Sequence, residues 1–489
     1  VDNYPQMTEA ADTWPALDPE GLPITGEGVT AGVIDSWIDI FHPSFFRADG
    51  GHFDWIDMNE NGVFDPGVDA VDWNRNGEGE SKEVLGLIKG TVAWHNDVGG
   101  PEKENDGEEF VADLDWLWMD HNGNGKREWG IGPGFSEGFP TYGEPYFVAD
   151  DIDGSGTLDP GEKLVGLNTC KVKAIYLPHL DVVYRRGENL IEYPRVESSR
   201  SHATMTVGVL AGNNRGFQRF HGVAPDADIL VADMEQGAET QTEDTGGLPY
   251  IAGLAWLVDE GAQVVMHEYG SPFREFGDGT SNLETAIDLA AADSSVTSCT
   301  ATHNYAGYNM HGTADVPAGD AIDFPFELGI YGDDYPPYML MINLRWREPG
   351  LPLSLTLVDP AGPQETFGVE SWEGEFGADH HLWYTGIEIS SRDTHMANFL
   401  VYSSSYYGPV GAGDWLLRVE NPSDEAQAVD LFVADHTGYM YTGNLTEYLD
   451  KNGTISHPAT ADSAISVGAY RANVDSWFGQ VELGDLSFY

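Results

Sequence analysis

Residues 26–45 read GEGVTAGVIDSWIDIFHPSF, and within them Gly28 to Asp35 is an apolar run that ends on an acid. Valine, isoleucine and threonine suit a pleated, packed surface. An unbroken run of this kind predicts a strand buried on both faces, as in a parallel sheet. Working outward, residues 196–304 alternate between element types. The pattern predicts a helix over His202 to Ala211, a strand at ADILVADM (227–234), a helix around Ile251–Glu260, a strand at AQVVM (262–266) and a helix over Leu283–Ala292. Strand, helix, strand in this order predicts a parallel α/β sheet flanked by helices.

Two segments break that pattern. Residues 47–195 are rich in Asp, Asn, Gly and Trp, with short apolar stretches between, and read as an acidic insertion with few core residues. From 308 to 445 the chain offers MLMINLRW, LPLSLTLVD, ANFLVYSSS, DWLLRVEN and AVDLFVAD, strand-like runs separated by Pro, Gly and Asp turns. Such spacing predicts an antiparallel β-sandwich. ADSAISVGAY (461–470) returns to a buried strand of the α/β kind, so the sandwich reads as inserted. The expected division is core at 1–46, acidic insertion at 47–195, core at 196–307, sandwich at 308–445 and core again at 446–489.

The chain carries 81 acidic residues against 23 basic ones, a formal net charge of −58. Phosphate binding needs Lys and Arg, so nucleic acid and anionic membrane are poor partners. Clustered carboxylates suit metal ligation, and spread ones suit solubility in high salt. No apolar run approaches a bilayer-spanning length, and no basic-then-apolar leader opens the chain. A start at Val1 implies that any secretion signal has been removed or never existed. Cys170 and Cys299 are the only cysteines. They are too few for a disulfide framework, and read either as a pair or as two small buried residues.

The carboxylates are patterned. Asp72, Asn74, Asn76, Glu78, Glu80 and Glu83 with Gly77 fit D-x-N-x-N-G-x5-E, and Asp151, Asp153, Ser155, Thr157, Asp159 and Glu162 with Gly156 fit D-x-D-x-S-G-x5-E. Alternate oxygen ligands, a glycine for the sharp turn and a closing bidentate glutamate form the EF-hand loop register, which suits Ca2+. Asp57, Asn59, Asn61 and Asp65 make a weaker relative with Asp69 nearby, as do Asp120, Asn122, Asn124 and Glu128; neither has the closing glutamate. Loops starting at 57 and 72 leave no room for EF-hand helices between them. They are expected to be structural staples rather than a calcium sensor, with metal-free Asx-turns as the other reading.

Several segments together resemble the subtilases. The 26–45 stretch is similar to their aspartate motif, and SRSHATMTVGVLAGN (199–213) to their histidine motif. FHGVAPDADILVADM (220–234) resembles the strand that follows, and NLETAIDLAAADSSVTSCTATHN (282–304) the helix and strand that lead to the oxyanion-hole asparagine. HPATADSAISVGAYRANVDSWFGQVELGDLSFY (457–489) resembles the approach to the serine motif. The order agrees with the Asp, His, Ser order of subtilisin. The resemblance implies that Asp35 orients His202, that His202 is general base and then general acid, and that Asn304 donates to the oxyanion. Taken singly, these residues also suit a helix cap, a helix start and a turn.

There are departures. Ser36 and Trp37 stand where the family usually has Thr and Gly, Ala203 replaces a Gly, Met205 a His, and His303 the Gly before the asparagine. Glu268-Tyr269-Gly270 stands where a Ser-Leu-Gly strand usually lines the substrate cleft. The one Gly-Thr-Ser, Gly279 to Ser281, precedes Asn304 and reads as a helix cap. The serine is therefore expected from a missing or separate C-terminal segment. The expectation is a subtilisin-like fold with two insertions: an extracellular or cell-surface, calcium-dependent serine endopeptidase acting on polypeptides. The rival is a catalytically inactive, calcium-stabilised surface or assembly protein on the same scaffold. Gly413 to Val419, GDWLLRV, resembles a strand of the sandwiches attached to secreted subtilases, which implies a structural role by default.

Overall fold

Thr30–Asp35, the TAGVID strand, is buried along nearly its whole length and pairs in parallel with Asp228–Asp233, in step from Thr30 opposite Asp228 to Asp35 opposite Asp233. The computed structural model describes residues 10–19, 21, 23–90, 109–194, 202–234, 248–305, 308–329, 337–362, 364–377, 380–403, 410–435 and 443–469. Of the approach to a serine motif read at 457–489, residues 470–489 lie outside these, as do residues 195–201. The chain divides into two units, Val1–Met266 and His267–Tyr489.

In the first unit the sheet runs, by neighbour, Val182–Arg185, Val172–Leu177, Asp228–Asp233, Thr30–Asp35 and Val264–His267, the last residue of which opens the second unit. Val172–Leu177 is parallel to Asp228–Asp233, and Val182–Arg185 is its antiparallel edge. This corrects the boundary of the acidic insertion. The sequence reading extends it to 195, but VKAIYL is a core strand, its apolar character diluted by the charged residues around it. The His202–Ala211 helix buries Ala203, Val207 and Ala211, one face at four-residue spacing. Its far end is clamped by the buried ammonium of Lys171, which donates to the carbonyls of Ala211 and Pro225 at 2.8 Å and to that of Asn213. A cation there also complements the helix dipole. In the Leu248–Asp259 helix, Gly253 lies so close to the sheet that a Cβ would meet Ala232 Cβ at 3.0 Å.

The acidic insertion has a core of its own, contrary to the expectation of few core residues. His52–Phe53, Lys163–Gly166, Tyr146–Asp150, Trp116–Met119 and Leu85–Ile88 form, in that order, an antiparallel sheet. Side chains alternate between its faces. Leu117, Met119, Phe147, Ala149 and Leu164 pack with Phe53, Phe64 and Leu158, while Trp116, Trp118, Tyr146, Val148 and Val165 pack with Phe41, Phe45 and Phe46 of the parallel-sheet core. Strands of two to five residues, broken by Asp and Gly, hide that alternation from a reading by composition.

In the second unit, two antiparallel sheets share one hydrophobic core. One holds His311–Val316, Gln427–Asp435, Met339–Trp346, His395–Ser403, His380–Ile389 and Trp372–Phe376; the other Gln364–Phe367, Ser354–Val358, Gly413–Glu420, Ala321–Leu328 and Gly443–Leu445. Leu344, Phe399 and Leu431 from the first and Phe324, Leu355 and Leu417 from the second belong to the same cluster. Thr297–Ala301 pairs in parallel with Ala464–Val467, so the sheet-rich segment lies between two neighbouring strands. Ser281 caps the Asn282–Ser294 helix, accepting from Glu284 N at 3.1 Å while the Glu284 carboxylate accepts from Ser281 N at 2.9 Å. Cys170 and Cys299 are both free thiols, so they do not pair.

This unit also buries neutral imidazoles. Burial holds His267 and His303 down to about 4 and His457 to about 3, and it pushes Glu275 up to about 7. Below 6.5 the unfolded chain takes up protons that the folded imidazoles refuse, so stability rises with pH from about 4 to 6.5. Glu275 runs the other way, holding its proton in the fold up to about 7 and opposing one of the three. In high salt, which screens the self-repulsion of the acidic chain, acidification from pH 6.5 to 4.5 should lower the Tm. The slope is about 1.4 kcal/mol per pH unit for each uncompensated imidazole. Thermal unfolding of the parent and of His267→Gln, which should be flatter by about one proton, checks this; a Tm that climbs on acidification in both refutes it.

Candidate functional site

Asp35 ends its strand with a side chain only 2% exposed. Ser36 N donates to its Oδ1 at 2.6 Å, and Thr206 Oγ1, one turn into the helix, donates to its Oδ2 at 2.6 Å. His202 opens that helix. Its Nδ1 lies 2.7 Å from Asp35 Oδ1 and 3.0 Å from Oδ2, while the ring is 49% exposed. The carboxylate thus commits Nδ1 and leaves the reactive chemistry to Nε2 of a ring that reaches solvent. Helix and strand are tied by Ala203 N to Ser36 O at 3.0 Å and Asp39 N to Thr204 Oγ1 at 2.7 Å.

Asp233, fully buried on the neighbouring strand, supports the turn behind Asp35. Its Oδ1 accepts from Trp37 N at 3.2 Å, and its Oδ2 accepts from the buried Tyr193 hydroxyl. Trp37 has φ +52°, a left-handed conformation that glycine adopts without strain. Thr206, Asp233 and Tyr193 escaped the sequence reading. Only Asp233 left a signal: a second acid at the end of an apolar strand. Asn304 belongs to the second unit, where it is exposed at the turn after Thr297–Ala301, next to His303 at φ +71°. Ser281 is no nucleophile. It is 6% exposed and held between Glu284 N and His457 Nδ1, the latter at 3.1 Å.

All four acidic loops leave strands of the insertion rather than helices. In each, the first aspartate accepts backbone amides within the loop: Asp57 from Asn61 and Gly62, Asp72 from Asn76 and Gly77, Asp120 from Gly123, Asn124 and Gly125, Asp151 from Gly154, Ser155 and Gly156. Asn59 and Asn61 donate to Asp65, Asn74 and Asn76 to Glu80, and Asn122 and Asn124 to Glu128. Ser155 and Thr157 hydroxyls lie 3.0 Å apart, and Glu78 N donates to Asn76.

A closing carboxylate recurs as well. Glu162 accepts Ile152 N at 2.7 Å and Asp159 N at 2.9 Å, and Glu83 accepts Glu80 N at 3.2 Å. The two loops without a terminal glutamate receive the same contacts from elsewhere. Asp69 accepts Met58 N and Asp65 N at 2.8 and 2.7 Å, and Glu144, absent from the sequence reading, accepts His121 N and Glu128 N at 2.8 and 2.9 Å.

A hard cation fits this donor set. Oxygens of Asp151, Asp153 and Glu162 lie within 4.8 Å of one another. Glu83 is 1% exposed, and its Oε1 makes no hydrogen bond of normal geometry among the described residues, with the Asn74 amide as a nearby donor. Burial raises the pKa of Asp69, Glu83 and Glu144, a penalty on their charge that a bound cation would offset.

Compared with known proteins, residues 26–326 match the family described as the subtilase family. Among curated proteins there is no match. Among solved structures, the chain is similar to the Clostridium perfringens CspB protease at 14% identity and a TM-score of 0.53, covering 92% of this chain and 71% of that one. That likeness is one of fold. Shorter stretches align with the prenylagaramide maturation protease PagA (20% identity, 22% of this chain, 36% of that one, TM-score 0.18) and with the pre-peptidase C-terminal domain of a Bacillus anthracis collagenase (13% identity, 26% of this chain, 90% of that one, TM-score 0.16).

Proposed function

The chain belongs to the subtilase family, and on that premise we propose that it supplies the acid, base and oxyanion donor of a subtilisin-like serine endopeptidase. The observation that carries this reading is the buried Asp35 carboxylate on Nδ1 of a half-exposed His202. In the proposed reaction His202 Nε2 takes the proton of a serine hydroxyl as it attacks a peptide carbonyl, then returns it to the leaving amine. Asp35 holds the tautomer and stabilises the imidazolium, and the Asn304 amide donates to the oxyanion. The serine comes from a further C-terminal segment or a separate chain. The substrate is a polypeptide.

Ca2+ would be held by the four loops, through Asp57, Asn59, Asn61, Asp65 and Asp69; Asp72, Asn74, Asn76, Glu78, Glu80 and Glu83; Asp120, Asn122, Asn124, Glu128 and Glu144; and Asp151, Asp153, Ser155, Thr157, Asp159 and Glu162. The ion supplies neutralising charge and folding free energy rather than a chemical step. Millimolar extracellular Ca2+ suits such loops, which supports placement outside the cell or on its surface. We read the two antiparallel sheets of the second unit as an inserted sandwich that stabilises the fold. The left-handed backbone at Trp37 and His303, where the family usually has glycine, favours the rival reading of an inactive scaffold.

A fluorophosphonate probe decides between the two. Incubated with Ca2+ and the full-length protein, it should label a serine and abolish digestion of unfolded casein. A folded, calcium-loaded protein that neither takes the label nor cuts casein refutes the endopeptidase reading.

A further inference from the structure

His303 stands where its ring does more than close a turn. A Cβ built on Gly270 would lie 1.7 Å from His303 Nε2 and 1.8 Å from its Cε1, so the imidazole rests on the Gly270 backbone. The ring stacks on Tyr305 (centroids 5.5 Å apart, planes 29° apart), and the Tyr305 hydroxyl in turn donates to Gly270 O at 3.3 Å. The His457 carbonyl, which accepts from Ser271 N at 3.1 Å, lies 2.5 Å from the same Cβ position. Gly270, Tyr305 and the 457 backbone therefore hold the ring in place. Burial keeps it neutral at pH 7, with a pKa near 4.

The placement carries a functional meaning. The segment 268–270 leaves the carboxyl end of the strand that closes at His267, and 302–304 leaves the carboxyl end of Thr297–Ala301. The two segments meet where the His303 ring covers Gly270. Open α/β sheets bind their ligands beyond these carboxyl ends. If Asn304 holds the carbonyl oxygen of the residue being cleaved, that residue's side chain starts from the carbon next to the carbonyl. It must then enter the space beside Asn304, which is where its neighbour's imidazole lies.

We propose that the His303 imidazole fills the recess between Gly270 and the Asn304 turn, so that the chain selects substrates with glycine on the acyl side of the scissile bond. This rests on the endopeptidase reading through the role given to Asn304. A glycine there brings no side chain to compete with the ring. Any Cβ must displace the imidazole from Gly270 and Tyr305.

The test is equilibrium binding of acetylated tetrapeptide acids, identical except for a last residue of Gly, Ala or Phe, to the full-length protein with Ca2+, followed by NMR. The parent should bind the glycine peptide at least about 10-fold tighter than the phenylalanine one, the discrimination a filled pocket can give. His303→Gly should remove or reverse that preference, and His303→Asn should fall between the two. Both variants tolerate a left-handed backbone, so their Tm should equal or exceed the parent's.

Equal binding of Phe and Gly peptides by the parent, binding of neither, or an unchanged preference in His303→Gly overturns the proposal. Hydrolysis of the same peptides carrying a fluorogenic amide reports separately on the endopeptidase reading. Selectivity without hydrolysis sinks that reading and leaves the filled recess standing. Hydrolysis without selectivity sinks the recess alone.

Discussion

Asp35→Asn in the full-length protein should lower kcat by about 10⁴-fold with little change in KM, the loss that follows when the corresponding aspartate of a serine protease becomes an amide. Three donors converge on this carboxylate: His202 Nδ1, Thr206 Oγ1 and Ser36 N. An asparagine keeps the shape but offers one oxygen and an NH2 group. If the oxygen stays with Ser36 N, which can only donate, the NH2 takes the place of Oδ2 and faces the Thr206 hydroxyl, which can turn to accept, and Nδ1; bonded to that NH2, the imidazole must carry its proton on Nε2. That is the nitrogen required to accept from serine. The geometry survives and the tautomer is wrong, so the defect falls on the chemical step. Thr206→Val removes one donor and should cost about 10-fold. Peptide hydrolysis under saturating substrate, with Tm as the control for folding, checks both. An Asp35→Asn protein with more than a tenth of parental kcat would show that the Asp35–His202 pair is not catalytic.

Legibility differed sharply between parts of this site. Asp35 and His202 could be read because the segments around them resemble the subtilase motifs; local physics alone marks an acid that stops an apolar strand and a histidine that opens a helix, which also suit a cap and a helix start. Asn304 was marked only by the helix and strand before it. Thr206 and Tyr193 leave no comparable mark, and Asp233, though it too ends an apolar strand, shows nothing locally of its role, since these roles exist only once distant segments are side by side. Tyr193 and Asp233 are 40 residues apart in the chain. The same holds for the acidic loops. Glu83 and Glu162 fall inside the twelve-residue register and were legible, whereas Glu144 reaches its loop from the start of the next hairpin, 16 residues beyond Glu128. The insertion's sheet was missed for a different reason: strands of two to five residues are too short for a period-two pattern to stand out among aspartates. The parallel sheet was legible at Thr30–Asp35, Asp228–Asp233 and Val264–His267, and missed at Val172–Leu177, where charged neighbours dilute the apolar run.

The second large effect concerns those loops. Chelation should lower the Tm steeply, since a site held at about 1,000 times its Kd contributes about 4 kcal/mol and four such loops lie in one small insertion. Loss of stability alone would not identify the ligands, and Glu83 offers a sharper test. Its Oε1 is buried with no hydrogen bond of normal geometry among the described residues, and burial raises its pKa. A charge in that state destabilises a metal-free fold. Replacing it by glutamine removes the buried charge and, with a cation present, also removes a ligand. Glu83→Gln should therefore lower the Tm in Ca2+ and leave it unchanged or raised in chelator. Glu144→Gln should behave in the same way if it closes the third loop, whereas Glu137→Gln, a carboxylate that binds the amides of Gly187 and Ile191 away from any loop, should lower the Tm equally in both conditions. Calorimetric unfolding of the three variants with and without Ca2+ separates the outcomes. A Glu83→Gln penalty of equal size in calcium and in chelator would mean that the loops are Asx-turns closed by a carboxylate, with no ion in them.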